Sequence, residues 1–183
     1  MNLLKLEGPF QEPVTDDEAK LYLRVEHSLD DHIIRMMIAA ARSMVEAYTG
    51  QTLIEQKWRL TIDAHDGLIK LIKLPLAPFV RLEGRPKKIQ REHTIEITNY
   101  KLRRDAGFAT VELLTNLTSY DVLQLEFVVG YGETAESVPV AYKQAILMLV
   151  AEMYENRVGA DTNVVMNDTV KSLLAVHRVK RLL

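Results

Sequence analysis

Apolar positions recur with a helical period at both ends of the chain and with a period of two in its middle. Thr15-Asp16-Asp17-Glu18 forms a capping box, in which the Thr15 hydroxyl accepts from the Glu18 amide and the Glu18 carboxylate reaches back. Ala19, Tyr22 and Leu23 follow at helical spacing. Ser28-Leu29-Asp30-Asp31 repeats the arrangement ahead of a longer helix, from about 30 to 49. Its predicted buried stripe is Ile33, Ile34, Met37, Ala40, Ala41, Met44, Val45 and Tyr48. Gly50 is placed to end that helix in a left-handed cap. The acidic clusters are therefore read as helix starts, not as catalytic carboxylates.

From Leu53 to Asp63 the period changes. Ile54, Trp58, Leu60 and Ile62 share one face with Gln56 as the polar interruption, while Glu55, Lys57, Arg59 and Thr61 take the other. Asp66-Gly67 is a hairpin-type turn signal, followed by a second strand over Leu68–Leu74 that Pro75 and Pro78 keep from being a helix. Shorter strands are expected at Phe79–Leu82, Thr94–Ile97, Tyr100–Arg103 and Thr110–Leu113. A clearer one is Val122–Val129, with Leu123, Leu125, Phe127 and Val129 on one side. This makes a module of about six strands, one sheet or a small sandwich.

Helix returns after Gly130-Tyr131-Gly132. Pro139 suits the first turn of a helix running to about Arg157, and Ala141, Ala145, Met148, Leu149 and Tyr154 nearly surround it with apolar side chains. A last amphipathic helix starts near Asn167 or Asp168 and sets Val170, Leu173, Leu174 and His177 on one face. The predicted fold class is α+β: a bundle of about four helices, from 14–50 and 138–181, with an antiparallel β module inserted at 51–132, in a single domain spanning 1–183.

Composition narrows the chemistry. The 183 residues contain 48% apolar and 26% charged side chains, enough for a core that buries roughly 70% of the unfolded surface without metal or disulfide. The absence of cysteine excludes thiol catalysis, Cys-ligated zinc and iron–sulfur clusters. A formal net charge of −2 is less basic than a binder of bulk nucleic acid requires. The charge is uneven, acidic over residues 1–50 and basic over 168–183. No targeting signal is visible, and the apolar run Ala145–Ala151 is too short for a bilayer, so no membrane partner is expected.

The search for an active site comes up empty. His27 and His32 miss the i, i+4 spacing of paired helical ligands. Asp63-Ala64-His65-Asp66-Gly67 has the residue types for a cation, but reads better as a polar hairpin tip. No Gly-x-Ser-x-Gly or phosphate-loop motif occurs, and Gly130-x-Gly132 is read as a bent strand end. No catalytic residue, metal or cofactor is expected. Two basic segments remain. Arg81, Arg85, Lys87, Lys88 and Arg91 suit phosphate contact or a solvated strand edge, and Arg178-Val179-Lys180-Arg181-Leu182-Leu183 suits a docking peptide or a helix end.

One ordered set of motifs resembles a known family. Ala40-Ala41-Arg42-Ser43-Met44-Val45-Glu46-Ala47-Tyr48-Thr49-Gly50, running into a strand with Trp58, is similar to a signature of the tailed-phage head–tail connectors, also found in prophages and gene transfer agents. Phe127-Val128-Val129-Gly130-Tyr131-Gly132, then Val138-Pro139, Gln144–Val150 and Tyr154-Glu155-Asn156-Arg157, continue the resemblance. Val170–Arg178 resembles the family's last helix, where a tyrosine is more usual than His177.

The resemblance implies a structural adaptor without catalytic residues, located at the virion neck after synthesis in the host cytoplasm. Such connectors form a homo-oligomeric ring, a dodecamer of about twelve copies, on the portal protein. They extend the DNA channel without sequence-specific binding and offer a platform to a tail-side connector, stopper or tail terminator. Carried over, portal contact falls to Lys171, Leu174, His177, Arg178, Lys180, Arg181, Leu182 and Leu183. Ring contacts are expected between the acidic Asp16, Asp17 and Glu26 and the basic Arg81, Arg85, Lys87, Lys88 and Arg91. The competing reading is a small soluble α+β protein- or nucleic-acid-binding module unrelated to virions.

Overall fold

The structure, a computed structural model, describes residues 2–63, 68–71, 76–86, 95–105, 108–114, 116, 119–156 and 166–178. Its order is β1 (Asn2–Glu7), α1 (Asp16–Leu23), α2 (Asp31–Thr49), β2 (Gln56–Asp63), β3 (Leu68–Leu71), β4 (Leu76–Pro86), β5 (Ile95–Glu96), β6 (Tyr100–Asp105), β7 (Phe108–Leu113), β8 (Tyr120–Val129), α3 (Val140–Glu155) and α4 (Asp168–Ala175). The fold is α+β. Two compact units divide the chain, a β unit of residues 1–9, 55–131 and 181–183, and a helical unit of residues 10–54 and 132–180.

In the helical unit, α1 begins with the expected capping box: Glu18 N–H donates to Thr15 Oγ1 at 3.1 Å, and Thr15 N–H to Glu18 Oε2 at 2.8 Å. The start of α2 differs. Asp30 is its N-cap but makes no side-chain cap bond, because its carboxylate accepts the Tyr154 hydroxyl of α3 instead. Gly50 closes α2 at φ 72°, a left-handed conformation that suits glycine, with its N–H on Glu46 O. The core face of α2 is Ile34, Ile38, Ala41 and Val45, turned away from the expected stripe; Ile33 and Ala40 lie exposed. That core meets Tyr142, Ala145, Ile146, Leu149 and Val150 of α3, the helix expected to be apolar nearly all round. Pro139 stands just outside α3 with an extended ψ of 140°, so it caps the helix and does not occupy its first turn.

The β unit holds a five-stranded sheet in the order β1-β2-β8-β4-β5 and a three-stranded sheet, β3-β7-β6, with every named pairing antiparallel. One buried cluster joins the two sheets: Leu60, Leu82, Leu123, Leu125 and Phe127 from the first, Ala109, Val111 and Leu113 from the second. The pleat accounts for this, since β8 alternates half-buried and buried residues from Val122 to Val129. The expected hairpin between Leu53–Asp63 and Leu68–Leu74 is not made. Both edges of β2 are taken by β1 and β8, so β3 pairs with β7. Strand β1, which carries too few residues to show a period, has no counterpart in the sequence reading. Pro78, lacking an N–H, falls where the β4–β8 register shifts between Leu76 and Val80.

Candidate assembly surfaces

Cross-strand charges cover the outer face of the large sheet. The β2–β8 register sets Arg59 opposite Glu126, and Lys57 reaches the same carboxylate at 3.3 Å and Glu7 of β1 at 3.8 Å. Burial opposes the charge on Glu126, but the hydrogen bonds from Arg59 and Lys57 prevail and hold its pKa below the usual carboxylate range. Further along, Arg81 pairs with Glu83 at 2.9 Å, while Arg85 is exposed with no partner among the described residues. Lys87, Lys88 and Arg91, the rest of the expected basic ring surface, lie outside the described residues.

The acidic surface of the helical unit is partly committed within the chain. Asp16 pairs with Arg35, whose pKa is raised first by that hydrogen bond. Asp17 and Glu26 are exposed and have no partner among the described residues. Gln11, Glu12, Val14, Thr15, Asp16, Arg35 and Ile38 line an open groove of about 390 Å³. Glu12 of this groove pairs with Arg42, which is 8% exposed. Its Nε donates to Glu12 at 2.7 Å and its Nη1 to Glu46 at 2.9 Å, and the second Glu46 oxygen accepts Leu53 N–H at 2.9 Å. Desolvation lowers the Arg42 pKa, but the two carboxylates overcome it and the net shift is upward.

The C-terminal residues assigned to portal contact fall into four groups. Lys171 pairs with Asp168 on the surface at 3.3 Å. Leu174, expected among these contacts, is fully buried in the single chain, where it anchors α4. The His177 ring lies 4.9 Å from the Tyr142 ring, its carbonyl accepts a hydrogen bond from Gln51, and the Arg178 guanidinium sits 5.0 Å over Tyr48. Lys180, Arg181, Leu182 and Leu183 lie outside the described residues. So does most of the Asp63–Gly67 cluster: Asp63 ends β2, exposed, and residues 64–67 are not described.

Among the described residues no group of three or more His, Asp or Glu could hold a metal ion, and no helix is long and apolar enough to cross a membrane. The sequence reading missed a second apolar side of α2. The signal was present: DHIIRMMIAAARSMVEAYT holds more apolar residues than one core face can take.

No protein-family model matches the chain, and no curated protein is similar to it at a significant level. Solved structures do match over its full length. A chain from the neck of an empty gene transfer agent particle, computed with C6 symmetry, superposes with a TM-score of 0.81, covering 100% of this chain and 98% of that one. The chain has the fold of that neck chain. A chain from the virion of a native gene transfer agent particle gives 0.80 at 22% identity, again covering 100% and 98%. One from the native neck, computed with C12 symmetry, gives 0.73 at 22% identity with the same coverage. Identity to the first is 20%, so what the chains share is backbone architecture.

Proposed function

We propose that this chain is a structural connector of a virion neck, which forms a ring on the portal, extends the DNA channel and carries the tail-side proteins. The observation that carries this reading is the full-length likeness in fold to a neck chain. The ordered sequence motifs, from Ala40–Gly50 to Val170–Arg178, support it independently. The role needs no catalytic group, and the paired charges described above serve as structural ties. Portal contact is assigned to the C-terminal segment through Lys171, His177, Arg178 and residues 180–183, with Leu174 holding α4 in place. Ring contacts are assigned to Asp17 and Glu26 against Arg85, Lys87, Lys88 and Arg91. Asp16 and Arg81, each already paired in the chain, contribute less.

The test mixes the purified chain with its portal ring and examines the product by electron microscopy. A collar of added density with the portal's symmetry, twelvefold in the case of a C12 neck, is the expected result. Removing residues 179–183 leaves the His177 and Arg178 contacts in place and should abolish the collar. Portal and chain that stay separate, combined with salt-sensitive DNA binding by the free chain, would favour the soluble-module reading.

A further inference from the structure

Helix α4 ends at Ala175, yet the residues past its cap are tied down from two other helices. Val176 caps α4 in a right-handed conformation, and the turn tightens as His177 N–H donates to Leu174 O at 3.0 Å and Arg178 N–H to Ala175 O at 3.4 Å. Val170 and Leu174 already anchor the helix in the core. Further contacts converge beyond the cap. Gln51 Nε2 donates to the His177 carbonyl, the His177 ring lies against Tyr142 with the planes 42° apart, and the Arg178 guanidinium covers the Tyr48 ring. Val176 beside them is 88% exposed, so this is no continuation of the core.

Tyr48 lies in the last turn of α2, Gln51 directly follows the left-handed Gly50, and Tyr142 lies in the first turn of α3. Fixing surface residues costs conformational entropy, and segments that leave a helix over the surface are ordinarily mobile. Side chains that reach in from α2 and α3 to hold such residues set the direction in which the chain runs on. We propose that Tyr48, Gln51 and Tyr142 form a clamp that aims the segment after Arg178 at the portal. They act as positioning residues and need not touch the portal themselves. A segment aligned beforehand docks without the entropy of ordering it, and affinity falls with the fraction of time it points elsewhere. The inference rests on the portal reading above and adds to it residues outside the C-terminal segment.

The test uses the full chain, which has no cysteine, so nitroxides on His32→Cys and Val176→Cys mark two exposed positions alone. His32 and Tyr48 are separated by about 24 Å along α2, a span suited to pulsed electron resonance. A narrow distance distribution is expected in the parent. The double variant Tyr48→Leu, Gln51→Glu keeps apolar bulk but loses the ring face and the donor. Its distribution should broaden and its binding to portal rings should weaken about tenfold, while helical melting stays that of the parent. Gln51→Glu alone should weaken binding about threefold, and Tyr48→Phe, which keeps the ring, should bind as the parent does. A distribution that stays narrow in the double variant, or one that broadens without loss of portal binding, overturns the proposal. A parent chain with a narrow distribution that ignores portal rings overturns the portal reading and the clamp's task together, which sets that failure apart from a clamp that does not hold.

Discussion

Replacing Arg42 with methionine removes the cation from a buried ion-pair network of the helical unit while keeping most of the side-chain stem. The guanidinium ties Glu12, ahead of α1, to Glu46 on its own helix, and Glu46 in turn holds the Leu53 amide beyond the Gly50 cap. Removing one partner of a buried pair usually costs about 3–5 kcal/mol, because the remaining charge is left uncompensated. Two features place this case at the low end. Glu12 is 30% exposed and can turn to water, and Glu46 keeps its bond from Leu53. The expected loss is about 3 kcal/mol, roughly a hundredfold in the folding equilibrium. Adding Glu46→Gln removes the stranded charge but keeps an acceptor for Leu53, so the double variant should recover about 1–2 kcal/mol. Urea unfolding followed by far-ultraviolet circular dichroism reads the helices, and Trp58 fluorescence reads the β unit. If Arg42→Met costs less than about 1 kcal/mol, the network behaves as a solvated surface pair and the reasoning fails.

Glu126 gives a prediction about acid. Its folded pKa lies below the unfolded one, so its contribution is complete above about pH 4.3 and is lost as pH falls through the lowered value. Glu126→Gln should flatten the acid limb of stability read by Trp58, and an unchanged limb would count against the Lys57–Glu126–Arg59 bridge. Gly84→Ala would bring a Cβ to 2.5 Å and 2.6 Å from two carbons of the Tyr120 ring, so a loss of about 1–3 kcal/mol is expected in the same fluorescence assay. Asn167 caps α4 by accepting Val170 N–H at 2.9 Å. Asn167→Ala should cost about 1 kcal/mol, seen as faster amide exchange at Lys171–Leu174.

What could be read in advance depended on whether a pattern was local. The Thr15–Glu18 cap, the Gly50 stop and the alternation of β8 each follow from neighbours in sequence, and each is present. Pairing partners do not follow from neighbours. Asp66-Gly67 promised a hairpin, but β2 had both edges occupied, one of them by β1, whose six residues carry almost no periodic signal. The stripe on α2 was placed between the two true apolar sides because averaging over a helix with two such sides points midway between them. Of the expected contact residues, Asp17, Glu26 and Arg85 are exposed and free among the described residues. Leu174 could not be sorted from His177 by spacing, since burial depends on which side of α4 meets α3.

Ile54 and Gly132 form a parallel bridge in the helical unit, and two residues further into the chain Gln56 already pairs with Val129. The long β segment therefore leaves and rejoins the helical frame through a single doorway. Insertions, deletions or wholesale rewriting of the loops between β2 and β8 do not change the distance the frame has to span. Lineages carrying this fold can revise what the strands present while the helices keep one shape, as a fixed socket accepts interchangeable fittings.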